Sequence, residues 1–354
     1  MPSKTIVEKA RGLMERMPWL ESSYEGAYRL LMKERYSSYK RQAQETLRSF
    51  GMEPTDALVQ DMVRETLTHG TFYDEYVHYG FAEKSELERR TYLTDAVRNA
   101  ICNKINDPQA QAMLMDKYRA YEHFGTWYGR KCIKAASEAD KEAFVTLGTE
   151  MGQLVVKPIS NCAGRGVEKL QMSGAEDWSQ WFDQHVRKES PLMVEQLIVQ
   201  AEEIGRWHPK SVNTIRTNTI LRDGRFTLFS TFLRMGRSGS FMDNCGQGGL
   251  MASVDPVVGH VVTRGYDETG REYEEHPDSG CAFVGAAIPR WEELRALAET
   301  LARAIPELTF VAWDLALTKD GWVMVEGNKG QFQVQQTVLR RGIRKDFEKA
   351  VFGQ

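Results

Sequence analysis

Residues 310–328 read FVAWDLALTKDGWVMVEGN. Alternate positions Val311, Trp313, Leu315 and Leu317 are apolar, and Val323 and Val325 repeat the alternation after the Lys-Asp-Gly turn signal. These sets must share one buried face of an antiparallel hairpin. That pairing calls for a three-residue loop, Lys319-Asp320-Gly321, with the glycine supplying a positive φ. Asp314 then lies directly opposite Glu326, and Asn328, two residues on, shares their face. Opposed strand residues hold their Cβ atoms about 4.5–5.5 Å apart, so two carboxylates there repel unless a cation lies between them. Two acids and an amide form an oxygen-only set that suits Mg²⁺ or Mn²⁺ better than Zn²⁺. A solvated polar face on an edge hairpin would give the same pattern.

The rest of the chain has the composition of a globular protein. Its 354 residues suffice for two or three domains. A net charge of −3 gives no reason to expect a nucleic acid or an anionic membrane as partner. No run of 18 apolar residues is present, so no membrane span is expected. The first twenty residues are charged and amphipathic without an apolar signal core, and a cytoplasmic location is expected. Five cysteines at scattered spacing, with no CxxC, fit reduced thiols.

The chain changes character near residue 138. Before it, SELERRTYLTDAVRNAICNKIN (85–106), DALVQDMVRETLTHG (56–70) and DPQAQAMLMDKYRAYEHFG (107–125) each carry apolar residues at helical spacing or clear start and stop signals. Residues 1–137 are therefore expected to form a mostly helical N-terminal domain. After it come strand-like segments at 153–158, 191–199, 212–221 and 225–236, with turn signals at 222–225 and 319–322 and one clear helix at 290–306. The expectation is an α+β domain of antiparallel hairpins over 138–354, not a doubly wound parallel sheet.

Basic residues stand opposite the acidic hairpin in the reading. In LVVKPISNCAGRGV (154–167), Lys157 ends an apolar strand, where a lysine is costly without an anionic partner. The glycines Gly164 and Gly166 follow in a loop of small residues that can bring backbone N–H groups to phosphate oxygens. The loop is neither GxxxxGK[ST] nor GxGxxG. Arg216 and Arg234 stand inside strands, which calls for a paired acid or a bound anion. The turn between their strands allows two registers, so whether they share a face stays open.

Taken in order, Lys157, the glycine loop, MVEQLI (193–198), the arginine strands and Asp314…Glu326-Gly327-Asn328 resemble the ATP-grasp superfamily. SVNTIRTNTIL, DNCGQGGL (243–250), HPDSG (276–280) and AWDLAL…DGWVMVEGN look most like its sugar-transfer-associated, α-L-glutamate-ligase-related branch. The resemblance covers roughly 138–336 and extends weakly to MDKYRAYEHF, which carries Lys117. It implies an ATP-grasp fold, two α+β lobes clamping ATP: a nucleotide lobe over 138–205 and a metal and phosphate lobe over 206–354. It further implies that Lys117 binds ATP, that Lys157 binds its α- and β-phosphates, and that the loop from Ser160 through Gly164 and Gly166 folds over the triphosphate. Glu195, Gln196, Leu197 and Ile198 would form the adenine hinge, with Glu202 or Glu203 on the ribose. Arg216 and Arg234 would contact the γ-phosphate and the transferring group. Asp314, Glu326 and Asn328 would bind two Mg²⁺ ions, with Mn²⁺ as a substitute.

The activity so implied is carboxylate–amine ligation through an acyl phosphate, with small-molecule carboxylate and amine substrates such as a sugar acid, an amino acid or a peptide. The loops carrying Asn244, Gly248, Gly249 and His276 are the expected acceptor pocket; for His276 a plain turn role is the alternative. A kinase on the same scaffold and a catalytically silent nucleotide-binding subunit remain open, and a homodimer is compatible with the sequence.

Overall fold

The structure, a computed structural model, describes residues 33–160, 166–187, 189–240, 243 and 248–353. It divides into two compact units. One comprises the described residues up to Ala100 together with Gln335–Lys345; the other comprises Ile101–Val334 with Asp346 onward. The division falls inside helix Asp95–Ile105.

The first unit is helical. Helix Asp56–His69 begins where the Thr55 side chain accepts from Leu58 N–H and stops at Gly70, whose φ of 74° a side chain would resist. Its core gathers Leu47, Val59, Met62, Val63, Tyr76, Tyr79 and Phe81. Gln336 is fully buried. It accepts from the N–H groups of Leu93 and Ile343 and donates to Tyr79 Oη and to the Leu93 carbonyl. The single helix expected over 85–106 is two. A Ser85–Glu88 capping box starts the first, Glu86–Arg89, which ends after one turn at Arg90. The Leu93 N–H then goes to Gln336 rather than to a helix carbonyl, and the second helix starts at Asp95. Leu87, one of the apolar residues at helical spacing in 85–106, is 83% exposed.

Glu75 is buried in this unit, with its carboxylate accepting from Phe72 N–H and Asp95 N–H. Burial pushes its pKa up to about 7, against the pull of those N–H groups. A raised carboxyl pKa means the folded state binds the extra proton between about pH 4.5 and 7, so this group's contribution falls as pH rises through that window. Denaturation of the parent and of Glu75→Gln at pH 5 and pH 8 should therefore show the parent losing stability relative to the variant on going to pH 8, by on the order of 3 kcal/mol. An unchanged difference between the two proteins would contradict this.

The second unit holds two antiparallel sheets. The smaller has strands β1 (Cys132–Ala135), β2 (Gln153–Pro158), β3 (Glu168–Gln171) and β4 (Leu192–Gln196) in the order β1-β4-β2-β3. Helices Lys141–Met151 and Ala175–His185 supply its core through Phe144, Leu147, Trp178 and Phe182. The larger has β5 (Thr214–Arg222), β6 (Arg225–Met235), β7 (Leu250–Val254), β8 (Gly265–Tyr266), β9 (Glu272–Tyr273), β10 (Phe310–Thr318) and β11 (Gly321–Asn328), in the order β11-β10-β5-β6-β7-β8-β9. Helix Trp291–Arg303 contributes Leu294, Ala298 and Leu301 to a core shared with Ile215, Leu233, Trp313, Leu315 and Leu317. The expected change of character at 138 falls between β1 and helix Lys141–Met151, inside this unit.

The helix expected over 107–125 is also two. Asp116 is extended (φ −87°, ψ 107°) and its carboxylate accepts from Tyr118 and Arg119 N–H, starting a fresh helix, Lys117–Tyr128. That helix runs through Gly125, expected as its stop, and ends at Gly129 with φ 59°. Among the described residues no helix is long and apolar enough to cross a membrane.

Candidate active site

The acidic hairpin brings Asp314 opposite Glu326, but not by the expected route. The turn has two residues, since Thr318 pairs with Gly321. The buried partners of Leu315 and Leu317 are Met324 and Trp322, while Val323 and Val325, expected in the core, are only half-buried. A bulge between Asp314 and Leu315 of β10, leaving Val325 of β11 unpaired, then shifts the register so that Asp314 meets Glu326. Gly327 separates the two expected ligands of β11. A Cβ there would lie 2.6 Å from Leu114 Cδ1 and 2.9 Å from Trp313, so only glycine lets the strand approach this closely.

The turn at Asp223-Gly224 has φ of 48° and 75°, a two-residue I′ geometry. A regular ladder from that turn would set Thr214 opposite Leu233, but a bulge beside Asn218 and Thr219, with Phe229 left unpaired, shifts the register by one and sets Thr214 opposite Arg234, so Arg216 and Arg234 share a face. Asp314 pairs with Arg216 across β10 and β5, which puts the acid on that face too. Arg216 Nε donates to Asp314 Oδ1 at 2.7 Å and its Nη2 to Oδ2 at 2.6 Å; Arg234 Nη1 donates to Oδ2 at 2.8 Å. Arg234 is also within 3.5 Å of Asp243, which takes a hydrogen bond from the Thr214 hydroxyl. Burial alone would raise the Asp314 carboxyl; Arg216 and Arg234 outweigh it and hold it below the usual range. Burial works against Arg234's charge, and Asp243, Asp314 and Glu326 more than restore it.

A carboxylate has roughly four acceptor positions, and the arginines occupy three on Asp314. Glu326 is half-buried and none of the described residues bonds its carboxylate. Asn328 uses Oδ1 to accept from Gly330 N–H at 2.9 Å. Among the described residues no three His, Cys, Asp or Glu side chains form a metal cluster. The set with capacity left is therefore two acids and one amide, which fits an oxygen-preferring cation and not a thiolate or imidazole site.

A second charged cluster lies on the small sheet. Lys157 on β2 is buried and forms an ion pair with Glu195 on β4. Glu195 also takes Arg130, with Nε at 2.9 Å and Nη2 at 2.8 Å. Burial would raise the Glu195 carboxyl, and Arg130 and Lys157 reverse that and keep it ionised. Cys132 nearby is pushed up to about 12 by burial and by Glu195, so it stays a thiol. Sequence reasoning missed both Arg130 and Asp243; the only signal for Arg130 was its place just after the Gly129 helix stop.

The remaining expected residues belong to neither cluster. Lys117 opens its helix, and its N–H donates to Ile159 O at 3.3 Å, two residues after Lys157. Ser160 is exposed, and Gly166 has φ 75°. Gln196 exchanges hydrogen bonds with the Lys131 backbone, and Leu197 and Ile198 are half-buried beyond the strand. Glu202 and Glu203 are exposed at the head of a short helix, Glu202–Gly205. Gly248 has φ 88°, and Gly249 is buried just before β7. Gly164 and Asn244 lie outside the described residues. His276 is a correction. It is completely buried, its Nδ1 accepting from Asp278 N–H and its Nε2–H donating to Gly236 O at 2.8 Å. Both ring nitrogens are committed to the backbone, and burial lowers its pKa, so it offers a ligand nothing.

The structure is similar to D-alanyl-alanine synthetase A from Vibrio cholerae at 11% identity and a TM-score of 0.45, covering 70% of this chain and 67% of that one. It is similar to the ATP-grasp ligase PsnB complexed with minimal precursor, Mg and ADP at 13% and 0.43, covering 73% and 66%. It is similar to D-alanine–D-alanine ligase from Bacillus anthracis at 13% and 0.41, covering 72% and 69%. The chain thus spans about two thirds of these solved chains. No curated protein matches it. A family model described as sugar-transfer associated ATP-grasp matches residues 100–350, more than half of the sequence, and the chain belongs to that family.

Proposed function

We propose that the chain is an ATP-dependent carboxylate–amine ligase that works through an acyl phosphate and releases ADP and phosphate. The observation that carries this reading is one sheet face on which Asp314 accepts from both Arg216 and Arg234, opposite a Glu326 whose carboxylate none of the described residues bonds. Such a face can take both a polyphosphate and the charge that develops as its terminal group moves.

In this reading a substrate carboxylate oxygen attacks the γ-phosphorus. The bond from that phosphorus to the β,γ-bridging oxygen breaks, and ADP leaves. An amine nitrogen then attacks the acyl carbon and loses a proton to solvent. The acyl C–O bond breaks, and phosphate departs with one oxygen from the original carboxylate. Lys117 and Lys157 neutralise phosphates, Arg216 and Arg234 hold the transferring group, and the 195–198 backbone positions adenine. Asp314, Glu326 and Asn328 would hold Mg²⁺, which supplies further charge neutralisation at the phosphate oxygens.

The test is ADP release with Mg²⁺ against pooled amino acids and carboxylic metabolites, with hydroxylamine as a general amine. A hydroxamate should form, and Glu326→Gln should lower the rate roughly 10²–10³-fold. A phosphorylated hydroxyl product without hydroxamate would make the protein a kinase. ADP bound without turnover of any substrate would make it a silent subunit.

A further inference from the structure

Arg130 touches more of the site's framework than any expected residue. Its guanidinium is buried, with the side chain 3% exposed. Two of its nitrogens hold Glu195. Nη1 donates to Tyr128 O at 3.0 Å and to Met324 O at 2.7 Å, and Nη2 to Val325 O at 3.3 Å. The plane lies over the Tyr128 ring, 4.6 Å from its centroid. Met324 and Val325 are the residues at the β11 bulge, directly before Glu326. β11 is the edge strand of its sheet. Consecutive carbonyls of a regular strand point to opposite sides, so one guanidinium reaches both here because the bulge interrupts the alternation. The bulge is also what brings Glu326 opposite Asp314. At its other end the same guanidinium holds the carboxylate that orients Lys157.

We propose that Arg130 is a positioning residue that ties Lys157 on the small sheet to Glu326 on the large one, so that the phosphate-binding and metal-binding halves meet the same nucleotide. The inference rests on the function proposed above. A lysine at 130 keeps a positive charge for Glu195 but is a single point charge and cannot fork across a carboxylate and two carbonyls. Each half would still bind its own group, while cooperation between them would be lost.

The experiment is calorimetric titration of ADP into the full chain, once with EDTA and once with excess Mg²⁺, for the parent and Arg130→Lys. In the parent, Mg²⁺ should tighten ADP binding by about tenfold or more; in Arg130→Lys that gain should fall to about twofold, with metal-free affinity within about threefold of the parent. Equal weakening under both conditions would mean a merely structural role and overturn the proposal, as would an unchanged gain from Mg²⁺. If Arg130→Lys does not fold, Glu195→Gln leaves the guanidinium on the carbonyls but breaks the link to Lys157, and should lose the gain in the same way. A parent that binds no ADP under either condition would remove the nucleotide reading itself, and this inference with it.

Discussion

Asp314→Ala is expected to lower the free energy of unfolding by about 3–5 kcal/mol and to abolish turnover. The acid is 3% exposed and takes three hydrogen bonds from two arginines. Among the described residues, removing it leaves Arg216 without its bidentate partner and Arg234 with its longer ion pair to Asp243, at 3.5 Å. Breaking one member of a buried charged set is far more damaging than replacing the whole set, because the remaining charges stay desolvated. Asp314's folded pKa is depressed, so its contribution is present above the unfolded carboxyl value and is lost as pH falls below it. Guanidinium denaturation at pH 7 and pH 3 checks both statements. A change of less than about 1 kcal/mol at pH 7 would mean the pairings are not formed in solution.

Lys157→Met should separate chemistry from stability. Glu195 keeps Arg130 when the lysine is gone, so the carboxylate is not orphaned. Unfolding should change by less than about 1.5 kcal/mol, while the ADP-forming rate should fall roughly 10²–10³-fold. Steady-state kinetics and denaturation on one preparation decide it. A stability loss as large as that of Asp314→Ala, with little change in rate, would make Lys157 a structural ion-pair partner and not a phosphate ligand.

The functional face was readable from sequence where alternation and turn chemistry were strong, and unreadable where two turns were equally allowed. Asp314 opposite Glu326 was expected and is observed, yet the route differs. A three-residue loop in a regular ladder and a two-residue turn with a bulge give the same pairing at Asp314. They bury opposite residues below it, Val323 and Val325 in one case, Trp322 and Met324 in the other. The larger side chains win the core because they remove more apolar surface from water. The shared face of Arg216 and Arg234 waited on a bulge at Phe229, without which the two-residue turn at Asp223 and Gly224 would put them on opposite faces.

Other features had little local signature. Strands β8 and β9 have two residues each, too short for any period to show. Asp116 both ends one helix and caps the next, which a run of helix-favouring residues conceals. Arg130 reads as one more surface arginine until β4 and β11 come together around it. His276 reads as a loop residue in a polar pocket, whereas the turn at 276–280 folds its ring inward to serve two backbone groups.

The proposed ligase rests on transfer of a carboxylate oxygen to phosphate, and that transfer can be followed atom by atom. The substrate carboxylate is labelled with ¹⁸O, turned over with ATP, Mg²⁺ and an amine, and the released phosphate is weighed by mass spectrometry. Our account predicts one ¹⁸O in each phosphate formed, in step with ADP, and none when the carboxylate is unlabelled. Phosphate or a phosphorylated product that carries no label while ADP accumulates would contradict it.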